Sequence, residues 1–482
     1  MKDEKLFDTM AEINDDYIAE AHSIQKKKKH YSWSRWVVAA ACAVLIVGAV
    51  VSIPALRKGT DVNYPPSVAA VVAEYPKPVN EKLSADEFME GNEHGKWWSS
   101  YREQIIKSNE LQPELDFYYS DIMKHMLVSE NENTVISPLN TYFAFALLAE
   151  VSDGNTRQQI LNMLKVKDIE TLRNNVSDLW KSNYADTPVL KSVLANSLWL
   201  NSNVKYNNGT LNLLADKYYA SAFSGIPGSA EMDQALRMWT DNNTGNLLKE
   251  YTKEMSLDSD TVLEILSTIY YKAMWTDAFQ VNKTVKETFH GVSGDTTVDM
   301  MKKADMLGVY RTDSFTSVGM HLNDSGMMYF ILPEENTDVN SLVSNPDILK
   351  SFRTDTDPEN YSSALVHLSV PKFRVSSKTN MLETIRQLGV TDALNAELAD
   401  FTPLTTEREG LSLSKADHAA MLEIDEHGVI GAAYTELALT EGAMIEYDEI
   451  DFVLDRPFMF IVTGGDGSVL FSGVVRNIEE MD

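Results

Sequence analysis

The stretch 423–440 restricts what this chain can fold into more than any other. It reads Glu423-Ile-Asp-Glu426-His-Gly428, then Val429-Ile-Gly431-Ala432-Ala433-Tyr434-Thr435-Glu436-Leu-Ala-Leu-Thr440. Successive side chains on a strand point to opposite faces. One parity set is Val429, Gly431, Ala433, Thr435, Leu437 and Leu439, all small or apolar and none charged. The other is Ile430, Ala432, Tyr434, Glu436, Ala438 and Thr440, bulkier and including a carboxylate. Such a segment could slide between the strands of a sheet, burying one face and solvating the other. Gly428 supplies a pivot, because a residue without Cβ reaches backbone angles that others avoid. An exposed loop followed by an edge strand shows the same local pattern, so the segment alone leaves both readings open.

The other strong constraint lies near the start. Residues 36–56 form a run of 21 without a charge, preceded by Lys26, Lys27, Lys28, Lys29 and Arg35 and followed by Arg57 and Lys58. As a helix the run spans about 30 Å, the hydrocarbon thickness of a bilayer. The heavier positive flank places residues 1–35 in the cytoplasm and the bulk of the chain outside, as a single-pass membrane protein. A secretory signal cut near Ser52 or Ala55 is the alternative, but an acidic leader of about 35 residues is long for that purpose. Cys42, the sole cysteine, falls inside the run and reads as a small apolar residue. The exported part therefore has no disulfide and no thiolate site.

Residues 57–112 read as an extracellular tether, with Pro65, Pro66, Pro76 and Pro78 among polar residues and no sustained apolar period. Trp97, Trp98 and Tyr101 interrupt it and could dock on the domain or lie at the membrane surface. After Pro113, Phe117, Ile122, Met126 and Leu127 approximate a helical stripe that opens the main domain, 113–482. Mixed helix and strand signals there give an α+β fold. Leu382, Ile385 and Leu388 suit a short helix ended by Gly389, and 365–370 and 458–462 read as strands.

Charge and motifs exclude much. The chain carries a net charge of −29, and residues 59–482 hold 33 basic against 64 acidic side chains. That balance argues against nucleic acid, whose phosphates need Lys and Arg. Neither a Gly-x-Ser-x-Gly elbow, a His-Glu-x-x-His helix nor a phosphate-binding Gly-x-x-x-x-Gly-Lys is present. Residues 464–468, Gly-Gly-Asp-Gly-Ser, lie between two strands and read as a hairpin turn. Asp258-Ser-Asp260 lacks the other ligands of a calcium loop. The expectation is a non-enzyme with no cofactor, no metal site and no catalytic residue.

A family resemblance runs through residues 111–482. Asn133-Thr-Val-Ile-Ser137-Pro-Leu-Asn140 is followed by Gly154-Asn-Thr-Arg-Gln-Gln159, Ala195-Asn-Ser-Leu-Trp199 and Ile269-Tyr-Tyr-Lys-Ala-Met-Trp275. Then come Val370-Pro-Lys-Phe373, Leu388-Gly-Val390, Ala399-Asp-Phe401, the hinge-like 426–433, Arg456-Pro-Phe-Met-Phe460 and Leu470-Phe-Ser-Gly-Val-Val475. In this order they resemble the serpins, the serine protease inhibitors. The resemblance implies three sheets, about eight or nine helices and an exposed reactive-centre loop. It makes Glu426, Gly428, Val429, Gly431, Ala432, Ala433 and Thr435 the hinge. It also places His418 in a structural shutter with Ser137, Asn140 and Ser267.

The mechanism implied is suicide inhibition of a serine or cysteine protease. The protease forms a covalent acyl-enzyme on the loop, which then inserts into the main sheet. Counting from either side places the scissile bond at Gly442, Ala443, Met444, Ile445 or Glu446. Ala443 or Met444 suits elastase-, chymotrypsin- or subtilisin-like targets, and the absence of Arg and Lys from 440–451 disfavours trypsin-like ones. The alternative is a non-inhibitory serpin-fold module for surface binding or adhesion. The expected protein is a monomer, anchored through 36–56, on a bacterial cell surface.

Overall fold

The computed structural model describes residues 64–429 and 448–479, apart from 80–81, 246–248, 260, 354–358, 407–410 and 414. Helices dominate its first half: α1 (Ala85–Glu90), α2 (Asn92–Asn109), α3 (Gln112–Met126), α4 (Pro138–Glu150), α5 (Gly154–Met163), α6 (Ile169–Asn183), α7 (Asn208–Tyr218) and, after one strand, α8 (Ala230–Asn243). Their starts follow from local chemistry. Ser137 caps α4 by accepting from the Asn140 N–H, with Pro138 as the first helical residue. Asp168 and Ser229 cap α6 and α8 in the same way, and Ser84 with Glu87 forms a reciprocal capping box on α1. All thirteen residues of α4 are buried, so this helix is a core element rather than an amphipathic surface one.

The first sheet runs β1 (Ala69–Val71), β5 (Ala220–Gly225), β4 (Leu190–Asn201), β6 (Leu263–Met274), β14 (Gly428–Val429), β13 (Asp417–Ile424) and β12 (Phe373–Asn380), with β3 (Ala185–Asp186) on β4. On β13, His418, Ala420, Leu422 and Ile424 are buried while their alternates are half-exposed, the period-2 pattern of a strand with one covered face.

The second sheet runs β15 (Glu449–Val453), β11 (Tyr361–Pro371), β8 (Gly294–Arg311), β9 (Phe315–His321), β10 (Met327–Pro333), β16 (Phe458–Thr463), β17 (Val469–Val475) and β2 (Thr134–Ile136), with β7 (Val285–Gly291) on β8. The α+β class thus stands, but the three expected sheets become two hydrogen-bonded networks among the described residues. Strand β8 is the reason. Its 18 residues pair with β7 at one end, with β9 at the other and with β11 along most of the length, so one ladder runs through both regions. The described residues also hold more helices than the eight or nine expected, because α1, α2 and several turns of four to six residues add to the main set.

The tether expectation for 57–112 is corrected over its described part. Strand β1 extends the first sheet by pairing with β5. Tyr64 packs edge-on against Phe223 at 4.8 Å, and the Tyr75 hydroxyl donates to the Tyr219 carbonyl at 2.9 Å. Phe88 and Tyr101 belong to the core, with Trp97 stacked on Tyr101 and both Trp97 and Trp98 half-buried against it. The Ser108 hydroxyl donates to Asp466 at 2.6 Å, and His94 meets Asp324 at 2.9 Å. No apolar period signals this docking, because single aromatic side chains and side-chain hydrogen bonds hold it. On α3, Phe117 is exposed. The buried stripe is Leu115, Tyr118, Tyr119, Ile122, Met123 and Met126.

Other local expectations hold. The helix Leu382–Gln387 is followed by Gly389 at φ +91°. Residues 464–468 connect β16 to β17, with Gly467 at φ +83°. Among the described residues, no helix is long and apolar enough to cross a membrane; residues 36–56 lie outside them.

Candidate functional site

The hinge begins where β13 ends. Asp425 turns the chain: its carboxylate accepts from the backbone N–H of His427 at 2.8 Å and of Gly428 at 3.2 Å, and its own N–H donates to the Gly428 carbonyl. The turn is fastened to the end of β6. The Trp275 N–H donates to the His427 carbonyl, the Trp275 indole to the Asp425 carbonyl and the Phe279 N–H to the Glu426 carbonyl. Glu426 is buried, its carboxylate 2.8 Å from the Thr284 hydroxyl and 3.1 Å from the Lys372 ammonium. Burial disfavours its charge, but its own backbone N–H, Thr284 and Lys372 outweigh that, so the carboxyl titrates below its ordinary value.

Beyond the turn, Gly428 and Val429 lie between β6 and β13. Gly428 is opposite Met274, and Val429 is opposite both Ala273 and Ile424. Among the described residues this two-residue strand is the sole pairing that links β6 to β13. Val429 is 1% exposed and sits on the face shared with Ile424 and Leu422, the face assigned to its parity set from sequence. Gly428 is required for closeness more than for pivoting. A Cβ there would stand 2.2 Å from the Ala273 carbonyl oxygen.

Lower on the same strands, the four shutter residues come together. The His418 Nε2 accepts from the Ser137 backbone N–H at 3.0 Å. The Ser267 hydroxyl lies 2.6 Å from the Asn196 side-chain oxygen and 3.1 Å from the Asn140 carbonyl. Burial lowers the His418 pKa to about 4, so the ring is neutral at pH 7, with Nε2 engaged as an acceptor. That engagement serves position, not proton abstraction from a nucleophile. The Asn140 side-chain amide and the Asn196 Nδ2 are buried without hydrogen-bond partners among the described residues, leaving polar capacity at the floor of the β6–β13 junction.

Sequence reasoning omitted three participants: Asn196, Lys372 and Thr284. The signal for Asn196 was an amide inside a motif already noted, Ala195-Asn-Ser-Leu-Trp199, on strand β4. Lys372 sat inside a motif already noted, and Thr284 carried no signal. Of the residues named as the hinge, Glu426 lies in the turn after β13 and Gly428 and Val429 form β14, whereas Gly431, Ala432, Ala433 and Thr435 lie outside the described residues. So do all the scissile-bond candidates, 442–446. Val429 lies in the first sheet, and the next described residue, Asp448, lies beside β11 in the second sheet.

The family model described as Serpin (serine protease inhibitor) matches residues 116–478. The chain belongs to the serpin family. Serpin-ZX of Arabidopsis thaliana is 28% identical over 374 residues, covering 74% of this chain and 95% of its own. AtSerpin1 of Arabidopsis, solved in a native stressed conformation, superposes with TM-score 0.66 at 26% identity, covering 78% of this serpin and 98% of its own chain. Human thyroxine-binding globulin complexed with thyroxine shares the fold, with TM-score 0.66 at 23% identity over 78% of this chain and all of its own. The family match starts at residue 116, so β1, α1 and α2 precede the matched region.

Proposed function

We propose that this serpin inhibits serine proteases, or cysteine proteases, as a suicide substrate. A target's nucleophile attacks the carbonyl carbon before the scissile bond, forming an acyl-enzyme as the C–N bond breaks and the amine leaves protonated. The freed hinge side then extends β14 between β6 and β13. The bound protease is carried along, and its distorted site cannot complete hydrolysis. The observation that carries this reading is the placement of Gly428 and Val429, which continue the sheet in antiparallel register on both sides. The uncharged parity set that follows suits the buried face.

The setting we propose is the cell surface, with 36–56 as a single-pass anchor and the serpin domain outside, as a monomer that meets its target there. The scissile bond lies within 442–446, and the targets are elastase-, chymotrypsin- or subtilisin-like. The fold likeness to a thyroxine-binding protein supports a second reading, a non-inhibitory binding module. Incubation with the three protease types, followed by denaturing gels and mass spectrometry, separates the two. A stable acyl complex plus a C-terminal fragment starting at residues 443–447 supports inhibition. Clean cleavage by all three without a complex favours the binding module.

A further inference from the structure

A cleft of about 290 Å³ separates the stretch before α1, together with α2, from the body of the domain. Pro76, Val79, Trp97 and Tyr101 line one wall, and Trp180, Tyr184 and Tyr219 line the other. Both walls are fixed by the protein's own contacts. The Val79 N–H donates to the Asp186 carbonyl at 2.8 Å, and the Tyr184 hydroxyl to the Pro76 carbonyl at 3.2 Å. Trp180 stacks on Tyr184 and on Tyr219, with ring centroids 4.5 and 3.6 Å apart, and its indole N–H donates to the Leu194 carbonyl. On the facing wall Trp97 stacks on Tyr101 at 4.9 Å. Small-molecule sites are built in this way: a preformed hollow of about 300 Å³ or more, mostly apolar and aromatic, with a few polar groups that orient the guest.

The charges in the cleft favour one sign of guest. Its carboxylate, Asp186, is buried and already paired with Lys191. Lys77 comes from one wall and Lys181 from the other; both are exposed, and neither makes an ion pair or hydrogen bond with a described residue. The half-buried Gln104 adds an amide donor. Residues 59–482 carry 64 acidic against 33 basic side chains, so two lysines without an acidic partner in one hollow stand out, and they suit an anion. The rings suit a flat apolar body, because offset or edge-on contact with Trp and Tyr is favourable beyond the area it buries.

We propose that this cleft is a binding site for a small aromatic carboxylate, its ring held between the aromatic walls and its carboxylate directed to Lys77 and Lys181. One wall, residues 76–104, precedes the region that the family model matches, so the site belongs to the junction this chain builds between its N-terminal stretch and the serpin domain. It stands apart from the inhibitory reading and needs no part of the reactive loop.

The test titrates the full-length protein with naphthoate, and with naphthylmethanol as the neutral counterpart, by calorimetry at low salt. Naphthoate should bind saturably, about fivefold more tightly than the alcohol, as two exposed charge pairs allow. Lys77→Gln combined with Lys181→Gln should bring naphthoate down to the affinity of the alcohol and leave the alcohol unchanged. Ser100→Trp, at an exposed position on the cleft, should fill it and abolish binding of both, with melting within about 1 °C of wild type. Should Ser100→Trp melt lower, the double lysine variant decides alone, since both of its positions are exposed. Binding that neither variant changes would place the probe elsewhere and overturn the site. Equal affinity of wild type for acid and alcohol would overturn the choice of an anion, and the absence of saturable binding would overturn the proposal outright.

Discussion

His418 is buried with its Nε2 committed to the Ser137 N–H, and burial holds its pKa at about 4 against an ordinary 6.5. Above pH 6.5 the ring is neutral folded or unfolded and contributes no pH dependence. Below it the unfolded chain takes a proton that the folded one refuses. Stability therefore falls by about 1.4 kcal/mol per pH unit down to the folded pKa, roughly 3 kcal/mol in all. His418→Gln, which cannot titrate, should show a shallower decline in melting temperature from pH 7 to pH 5 than wild type. Equal slopes would place His418 outside this linkage. His418, Ser137 and Asn140 were legible through the motifs that carry the serpin resemblance, not through any local pattern of their own. Asn196, Thr284 and Lys372 were less legible, because their partners are far along the chain and become neighbours only once the strands assemble: Ser267 is 71 residues from Asn196, and Glu426 is 142 from Thr284.

Among the elements, β14 has only two residues and is the most consequential. Its parity was readable in advance, since the alternation that puts Val429 on the buried face is a property of any strand. The closeness of Gly428 to β6 was not, because it depends on the backbone of a strand some 155 residues earlier in the sequence. Gly428→Ala would put a methyl group 2.2 Å from the Ala273 oxygen, so β14 must lift away or β6 must shift. A loss of about 1–3 kcal/mol in denaturant unfolding is expected, at an unchanged slope. An unchanged midpoint would mean that β14 does not hold this position in solution. The long strand β8 marks the other limit of sequence reading: no local pattern shows that one strand will serve two regions of a sheet.

For the molecule as a whole, residues 64–112 decide how far the domain extends. Strand β1, the Tyr64–Phe223 contact, the Trp97–Tyr101 stack and the Ser108–Asp466 bond attach this stretch to the body. A chain starting at residue 64 should therefore melt as the full-length protein does. One starting at residue 111 should lose at least about 5 °C, with Tyr219 and Phe223 uncovered. Equal melting of the two would restore the tether reading. The inhibitory reading makes the sheet unfinished until the loop joins it, and the comparison that tests this most directly is the melting temperature of the intact chain against that of the same chain nicked within 442–446. A rise of at least about 10 °C on nicking is expected, because a full strand joins β6 and β13. An unchanged or lower melting temperature would contradict insertion, leaving a serpin fold that is cut as an ordinary substrate.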